Sequence, residues 1–218
     1  LQHDEPDVDV LVMAGGKGTR LRPLTTTIPK PMVSVAGTPI LEHIVLHLLH
    51  EGVRTIHVAV NYLKDRIIDH FGDGSEFGCR IEYLEEHTPL GTGGPLRLMP
   101  EGERPVLVMN GDLITQVDVR AMLVRHVSEQ HALTIGVRDY QVDIPYGVLK
   151  VDGSRVVEIQ EKPTQHFLVN TGIYVVDRTL LSYIEPDTEY PITDLAASCL
   201  RDGRSVGVFL IQGDWVDV

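Results

Sequence analysis

A short apolar strand that runs directly into a glycine-rich loop constrains this chain more than any other feature. Residues Val8 to Met13 are a continuous apolar run, which predicts a buried strand. Three glycines follow within four residues: Gly15, Gly16 and Gly18. Glycine lets the backbone turn sharply and approach a ligand closely. The pattern therefore predicts a strand that ends in an anion-binding turn.

The same loop is basic. Its positively charged side chains include Arg20, Arg22 and Lys30. The N–H groups of a glycine-rich turn can point at phosphate oxygens, while Arg makes bidentate contacts and Lys acts as a point charge. These residues predict a nucleotide-phosphate site. A plain Gly/Pro surface loop is the alternative for the glycines alone, and the charges that continue through Lys30 argue against it.

Two common phosphate-binding motifs do not fit this loop. A P-loop requires Ser or Thr after its Gly-Lys pair, whereas Gly18 follows Lys17 here. A dinucleotide fingerprint requires a third glycine where Leu21 lies, and a helix that begins at once. The loop therefore belongs to another class of nucleotide site.

Helical and strand patterns alternate after the loop. Thr38 is the predicted N-cap of a helix that ends at Gly52, and Asn61 the predicted N-cap of one that ends at Gly72. Strands are predicted at 55–60, 80–84, 106–109, 132–137 and 205–210, and further helices at 117–130, 178–184 and 192–201. This order predicts an α/β fold with a parallel sheet and helices on its faces.

Composition limits the function classes. The chain has 218 residues, 43% hydrophobic content and a net charge of −12, which argues against a nucleic-acid partner. It has no apolar stretch of about 20 residues that would span a membrane. The isolated Cys79 and Cys199 suggest neither disulfide nor zinc site, so a cytoplasmic protein is expected. We interpret residues 1–8 as a linker and 9–218 as one domain that is cut short at Val218.

A second set of residues is typical of ligand sites at strand ends. An apolar strand runs into Asn110, Gly111 and Asp112, which places a carboxylate at its end. Asp is a good Mg²⁺ ligand beside phosphate oxygens, although a strand-ending Asp is also a common turn former. Another glycine-rich loop, 90–94, follows the predicted strand at 80–84. Open α/β sheets bind ligands at this edge.

The string from Ala14 to Met32, followed by Val35–Ala36–Gly37–Thr38–Pro39–Ile40, resembles the signature of the sugar-1-phosphate nucleotidylyltransferases. The resemblance implies a Rossmann-like, three-layer fold with a central mixed, mostly parallel β-sheet flanked by helices. It implies transfer of a nucleotidyl group from a nucleoside triphosphate to a sugar 1-phosphate, with Mg²⁺ as cofactor. The products would be pyrophosphate and a nucleotide sugar for glycan biosynthesis at the cell surface.

The resemblance also assigns roles to individual residues. The catalytic residues would be Arg20, Lys30 and Asp112, and the metal ligands Asp112 and Asp217. The nucleotide would be bound by Ala14, Gly15, Gly16, Gly18, Thr19, Glu86, Gly91, Thr92 and Gly111. The sugar phosphate would be bound by Gly147, Glu161, Lys162 and Asn170.

Glu86 occupies the position at which the family reads the base. A carboxylate only accepts hydrogen bonds. Guanine presents two adjacent donors, whereas uracil and thymine place a donor between two carbonyl oxygens. The residue therefore favours GTP, unless Glu86 is solvated and backbone amides read the base.

No Ser/His/Asp or Cys/His arrangement is evident, which agrees with a phosphate nucleophile that needs no general base. Two other functions remain open at this point. A glycosyltransferase of similar architecture would usually carry an Asp-x-Asp metal motif, and Asn110 stands in the place of its first Asp. The second alternative function is that of a non-catalytic relative that binds nucleotide sugars. A homo-oligomer and a regulatory domain upstream are further expectations.

Overall fold

The central sheet of the structure is built around strand β1, Asp9–Met13. The structure, a computed structural model, describes residues 5–218. Val10, Leu11 and Val12 are completely buried. A strand that is covered on both faces carries an unbroken apolar run rather than an alternating one. The predicted strand before the glycine loop is therefore confirmed.

The rest of the described chain contains twelve further strands, four α-helices and six short 3₁₀ helices. The further strands are β2 Ser34–Val35, β3 Thr38–Pro39, β4 Thr55–Val60, β5 Arg80–Glu85, β6 Val106–Asn110, β7 Leu113–Thr115, β8 Leu133–Asp143, β9 Val148–Asp152, β10 Arg155–Gln160, β11 Thr164–Val176, β12 Val206–Leu210 and β13 Trp215–Asp217. The helices are α1 Ile40–His50, α2 Lys64–Phe71, α3 Val119–Ser128 and α4 Ile192–Arg201.

The seven strands of the central sheet lie in the order β12-β8-β11-β6-β1-β4-β5. Strand β11 runs antiparallel to both of its neighbours, β6 and β8. The other neighbouring pairs are parallel. The sheet is therefore mixed and mostly parallel, as predicted.

Helices cover both faces of this sheet. On one face, α1, α2 and α3 pack against the side chains of Val10 and Val12. On the other face, α4 packs against Leu11 together with the short 3₁₀ helix Arg178–Tyr183. That 3₁₀ helix replaces the α-helix predicted at 178–184. The three-layer fold class is confirmed.

Two predicted helix caps are wrong. Thr38 lies in β3, which pairs with β2, and α1 begins only at Ile40. Asn61 does not cap α2, because its Nδ2 donates to the carbonyl oxygen of Glu86 at 2.9 Å. In both cases a contact with a distant or extended segment replaces the local hydrogen bond that a cap would make.

An arm, which we define as residues 138–170, extends beyond the sheet. Strand β11 pairs with β6 only from Ile173 onward, so its first part has β8 as its neighbour. The hairpin of β9 and β10 forms the end of the arm. The arm leaves the sheet beside Asn110, the last residue of β6, and therefore at the carboxyl edge of the parallel strands.

Within residues 5–218, none of the helices has the length and apolar character needed to cross a bilayer. The predicted lead-in, residues 1–8, lies partly outside the described residues. Its last residue, Val8, is 5% exposed and packs in the core.

Candidate active site

A cavity of about 400 Å³ lies at the carboxyl edge of the sheet. It collects most of the predicted nucleotide and catalytic residues: Gly15, Gly16, Gly18, Thr19, Arg20, Lys30, Glu86, Gly91, Thr92, Gly111 and Asp112. Ligands of open α/β sheets bind at this edge, because loops from several strands meet there. The two glycine-rich loops and the strand-ending carboxylate, separate in sequence, therefore share one site.

The glycine loop after β1 is folded tightly onto the segment that carries Lys30. Gly18 has a φ of +56°, and a Cβ on it would lie 2.8 Å from the Cβ of Lys30. The hydroxyl of Thr25 donates to the carbonyl oxygen of Gly18 at 2.7 Å. By contrast, a Cβ on Gly16 would meet nothing within 4 Å. Gly18 is thus needed for the fold of the loop, while Gly16 leaves open space beside the cavity.

Ala14 lies beneath this loop rather than in the cavity wall. It is completely buried, and its N–H donates to the carbonyl oxygen of Ala59 in β4 at 2.8 Å. That hydrogen bond extends the pairing of β1 with β4 by one residue. Ala14 therefore holds the beginning of the loop in place.

Gly111 allows the ends of β1 and β6 to lie very close together. Its N–H donates to the carbonyl oxygen of Met13 at 2.9 Å, and a Cβ on Gly111 would lie 2.6 Å from that oxygen. The next residue, Asp112, is thereby placed beside the glycine loop. Its side chain is 26% exposed.

The ammonium group of Lys30 lies between two carboxylates. Its Nζ is 2.7 Å from Asp112 Oδ2 and 3.7 Å from Asp217 Oδ1. Asp217 reaches this place because β13 pairs antiparallel with β7, with Asp217 opposite Leu113. Residues 105 positions apart in the chain, from Asp112 to Asp217, thus converge on one cation.

The two carboxylates have the chemistry of a magnesium site. Mg²⁺ is commonly held by one or two carboxylates together with phosphate oxygens and water. No group of three or more His, Cys, Asp and Glu side chains that could hold a metal occurs within residues 5–218. The donor set therefore fits a cation that also takes ligands from a bound phosphate, and does not form a closed protein site.

Glu86 is held at the cavity wall by its own loop. Its Oε2 accepts a hydrogen bond from the backbone N–H of Leu90 at 3.0 Å. Burial raises the pKa of the Glu86 carboxyl, and the hydrogen bond from Leu90 opposes that rise. The other carboxylate oxygen, Oε1, lies next to Gly15.

The second glycine loop is tied to the segment before α4. The carbonyl oxygen of Tyr190 accepts from Gly93 N–H at 2.7 Å, and Tyr190 N–H donates to the carbonyl oxygen of Leu90 at 2.9 Å. The hydroxyl oxygen of Thr92 accepts from Ile192 N–H at 3.0 Å. These hydrogen bonds attach the loop to residues 190–192.

The same contacts bring Glu189 to the cavity wall, where the sequence did not predict it. Its Cγ would lie 3.3 Å from a Cβ on Gly91. Other lining residues that the motifs did not single out for the site are Met13, Leu21, Pro31, Pro89 and Asn110. Glu189 stands in no recognisable motif, and only the pairing of its neighbour Tyr190 with the glycine loop brings it to the site.

The predicted sugar-phosphate residues lie on the arm and do not line the cavity. Gly147 and Glu161 are neighbours, with a Cβ on Gly147 lying 3.0 Å from Glu161 Oε2. Lys162 is exposed and has a φ of +44°. Asn170 donates to the hydroxyl of Tyr174 at 2.7 Å and accepts from Gly172 N–H at 3.0 Å. In this conformation the side chain of Asn170 is engaged within its own strand.

Comparison with known proteins agrees with this arrangement. The sequence model of the family described as "Nucleotidyl transferase" matches residues 9–218, which is nearly the whole chain. The chain belongs to the nucleotidyl transferase family. The described fold and the carboxyl-edge cavity are thus those of a nucleotidyl transferase domain.

Curated relatives of this nucleotidyl transferase carry more than one name. A mannose-1-phosphate guanylyltransferase of Mycobacterium tuberculosis is 34% identical over 90% of this chain and 56% of its own length. A protein of Methanocaldococcus jannaschii named bifunctional protein GlmU is 32% identical over 97% of this chain and 51% of its own length. The chain spans about half the length of these relatives.

Solved structures share the fold. A putative glucose-1-phosphate thymidylyltransferase from Bacillus anthracis, in complex with a sucrose, has a TM-score of 0.76 and 26% identity. The match covers 96% of this chain and 89% of the Bacillus anthracis chain. HddC from Yersinia pseudotuberculosis, complexed with GMP-PN, has a TM-score of 0.73 and 26% identity. The match covers 96% of this chain and 93% of the HddC chain. Neighbours with differently named nucleotides therefore share one architecture.

The cavity of this nucleotidyl transferase domain is lined by groups that bind anions and cations. Among the described residues that line it, none is Ser, Cys or His. The polar groups of this wall are backbone N–H groups, the cations Arg20 and Lys30, the hydroxyls of Thr19 and Thr92, and the carboxylates of Glu86, Asp112 and Glu189.

Proposed function

We propose that this domain transfers a nucleotidyl group from a nucleoside triphosphate to a sugar 1-phosphate. The products are a nucleoside diphosphate sugar and pyrophosphate. One observation carries the proposal: a single cavity holds a glycine-rich loop, two cations and a carboxylate that is paired with one of them. Family membership supports it.

The reaction requires alignment and charge stabilisation more than proton transfer. A phosphate oxygen of the sugar 1-phosphate attacks the α-phosphorus, and the bond from that phosphorus to the pyrophosphate oxygen breaks. The attacking oxygen is already anionic at neutral pH, so no base has to remove a proton. This need matches a cavity wall whose described residues include no Ser, Cys or His.

In this proposal, different residues of the chain bind the triphosphate and stabilise the developing charge. The N–H groups of Gly15, Gly16 and Gly18 bind the triphosphate oxygens, and Arg20 stabilises charge that develops at phosphorus. Lys30, whose Cβ packs against Gly18 of the same loop, would also contact the phosphates. Positioned charges of this kind lower the barrier because they are already oriented before the reaction begins.

Asp112 and Asp217 would hold Mg²⁺, and the proposal takes support from their convergence on Lys30. When bound, the ion would supply Lewis-acid stabilisation of the α-phosphate. Asp112 follows β6 of the central sheet, whereas Asp217 ends β13, which pairs with β7 in a separate two-stranded sheet. Together they would hold the ion beside the glycine loop.

We propose GTP as the preferred nucleotide. The ionised carboxylate of Glu86 would accept hydrogen bonds from the two adjacent donors of guanine. Curated relatives named guanylyltransferases support this preference, whereas the structural neighbour named a thymidylyltransferase shows that the fold alone does not select a base. Because Glu86 is partly buried, an unmatched hydrogen-bonding partner beside it would be costly.

We propose that the arm binds the sugar phosphate. Gly147, Glu161, Lys162 and Asn170 would bind it, with Lys162 placing the phosphate in line with the α-phosphorus. In the structure these residues stand outside the cavity wall. The proposal therefore requires the arm to approach the cavity when substrates bind.

The experiment that tests the function is pyrophosphate release in the presence of Mg²⁺. GTP, ATP, UTP, CTP and dTTP are each combined with a panel of sugar 1-phosphates, including mannose 1-phosphate and glucose 1-phosphate. Turnover with GTP and one sugar is the expected result. Turnover with another triphosphate keeps the reaction and rejects the role of Glu86. No turnover from folded protein that binds nucleotide rejects the activity in favour of a binding function.

A further inference from the structure

Lys30 already stands where a cation bound by Asp112 and Asp217 would stand. Its Nζ lies 2.7 Å from one carboxylate and 3.7 Å from the other. The side chain of Lys30 is only 13% exposed, and that of Asp112 is 26% exposed. The contact between Lys30 and Asp112 is therefore more shielded from water than an ordinary surface ion pair, whereas the side chain of Asp217 is 54% exposed.

The stem of Lys30 is held while its end is free to move. The residue opens the 3₁₀ turn Lys30–Met32, whose backbone is fixed by a hydrogen bond from Met32 N–H to Pro29 at 2.8 Å. Gly18 packs against its Cβ. Beyond that, a flexible four-carbon chain carries the ammonium group. Because Lys30 also lines the cavity, rotation of this chain can turn Nζ from the carboxylates toward a bound ligand without moving the backbone.

An ammonium group and a divalent cation cannot both bind these carboxylates closely. Like charges a few ångströms apart in a partly buried site repel strongly, because little water screens them. The carboxylates without any cation would repel each other for the same reason. One cation at a time is therefore the favourable arrangement for this pair.

We propose that Lys30 is a place-holding cation, which neutralises Asp112 and Asp217 until a metal ion and a nucleotide arrive and then turns toward the phosphates. This inference rests on the proposed function, since the displaced ammonium group needs phosphate oxygens as its new partner. Without nucleotide, displacement exchanges an ion pair for a hydrated ammonium group, and metal binding is weakened. With nucleotide, Lys30 gains a new anionic partner, and metal and nucleotide binding favour each other.

The test compares Mn²⁺ binding by the nucleotide-free wild-type protein and by Lys30→Met, with free Mn²⁺ measured by electron paramagnetic resonance. The variant should bind Mn²⁺ about fivefold more tightly, the gain expected from removing a partly shielded ion pair. Lys17→Met is the matched control, because it removes one positive charge from the same loop at an exposed position outside the cavity wall. It should change the affinity less than about twofold.

The result that overturns the proposal is equal or weaker Mn²⁺ binding by Lys30→Met. An equal gain in Lys30→Met and Lys17→Met also overturns it, because the effect would then come from net charge alone. Lys30→Gln is measured in parallel as a polar replacement, with circular dichroism to establish that each variant is folded. Asp112→Asn should lose the tight Mn²⁺ site, which locates the binding.

Turnover of the wild-type protein is measured separately, so the two proposals fail in different ways. Absence of turnover with every substrate pair, together with tighter Mn²⁺ binding by Lys30→Met, rejects the function and keeps the place-holding role. Turnover together with unchanged Mn²⁺ binding by Lys30→Met keeps the proposed function and rejects the place-holding role.

Discussion

The carboxylate of Glu86 lies directly against Gly15, the first glycine of the phosphate loop. A Cβ on Gly15 would overlap Glu86 Oε1 and would lie 3.3 Å from the Cβ of Asn61. Asn61 in turn donates to the carbonyl oxygen of Glu86. The loop proposed to bind phosphate and the residue proposed to read the base are therefore in contact.

We expect Gly15→Ala to weaken base selection without unfolding the protein. The added methyl group meets the end of a side chain rather than backbone, so Glu86 can move aside. The preference for GTP over UTP, measured as the ratio of the two kcat/KM values, should fall by about tenfold, which is the effect of losing a binding difference of about 1.4 kcal/mol. Gly16→Ala is the control, because a Cβ there meets nothing within 4 Å. An unchanged ratio in Gly15→Ala would contradict the contact.

Guanine binding should depend on pH through Glu86. Burial raises the pKa of this carboxyl above its ordinary value of 4.5, and only the ionised form accepts both hydrogen bonds. GTP affinity should therefore be complete above the raised pKa and decline as the pH falls through it, at a pH above 4.5. Calorimetric titration of GTP at a series of pH values measures this.

Glu86→Gln provides the comparison for that titration. Both proteins experience the same protonation of the GTP phosphates, so the difference between their profiles isolates residue 86. The acidic decline that belongs to the carboxyl should be missing from the variant. Parallel profiles for the two proteins would show that Glu86 does not contact the base.

Arg20→Ala should remove most of the turnover and leave the fold intact. The side chain lines the cavity and is exposed, so little packing is lost. Loss of one preorganised charge near the reacting phosphate typically lowers kcat by about 10²–10³-fold. Arg22→Ala removes the same charge two residues further along, at a residue outside the cavity wall, and should retain activity. Equal losses in the two variants would refute a specific role for Arg20.

Gly111→Ala should destabilise the protein. Its Cβ would lie 2.6 Å from the carbonyl oxygen of Met13 and 3.3 Å from Ala14 Cα, and both atoms belong to the backbone of the glycine-loop segment. Overpacking of this kind typically costs about 1–3 kcal/mol of the free energy of unfolding. Urea unfolding measures that loss, with Gly16→Ala expected to stay within about 0.5 kcal/mol of wild type. A fully stable Gly111→Ala protein would mean that the strand ends can separate at no cost.

His126 should make stability depend on mildly acidic pH. Burial lowers its pKa from the ordinary value of 6.5, partly opposed by Asp177, and its Nδ1 lies 2.9 Å from the hydroxyl of Thr134. The folded protein therefore favours the neutral ring. Its contribution to stability is complete above pH 6.5 and is lost as the pH falls below that value toward the lowered pKa.

The check is urea unfolding of wild type and His126→Asn at several pH values. The difference in free energy of unfolding between the two should shift against wild type as the pH falls below 6.5. His50→Asn, at an exposed position of α1, serves as the control for histidine replacement in general. A pH-independent difference for His126→Asn would contradict the buried neutral ring.

Prediction from sequence succeeded where a signal was local. The apolar run of β1 and the helical spacing of α1 both depend on periodicity within a few residues, and both elements formed. The caps at Thr38 and Asn61 failed because other segments supplied better partners, namely strand β2 and the carbonyl oxygen of Glu86. Capping is a weak local preference that such contacts readily replace.

The residues of the candidate site likewise include some that local motifs predicted and others that they did not. Motif spacing was sufficient to predict that Gly15, Arg20 and Asp112 would line one cavity, because Gly15 and Asp112 each stand two residues beyond a strand of the central sheet and Arg20 follows in the loop after β1. It was not sufficient to find Glu189, which reaches the cavity only because Tyr190 pairs with Leu90 and Gly93. Nor did it predict that Asn170 would be engaged by Tyr174 and Gly172.

The sequence by itself determined most of the order of strands and helices in the three layers, the glycine loop and the family to which the chain belongs, since each depends on residues that are near one another in the chain. The tertiary structure alone decided that Lys30 bridges Asp112 and Asp217, and that the arm stands outside the cavity wall. Those contacts join residues far apart in the chain. Their energies depend on distance and burial, which become defined only when the sheet has formed.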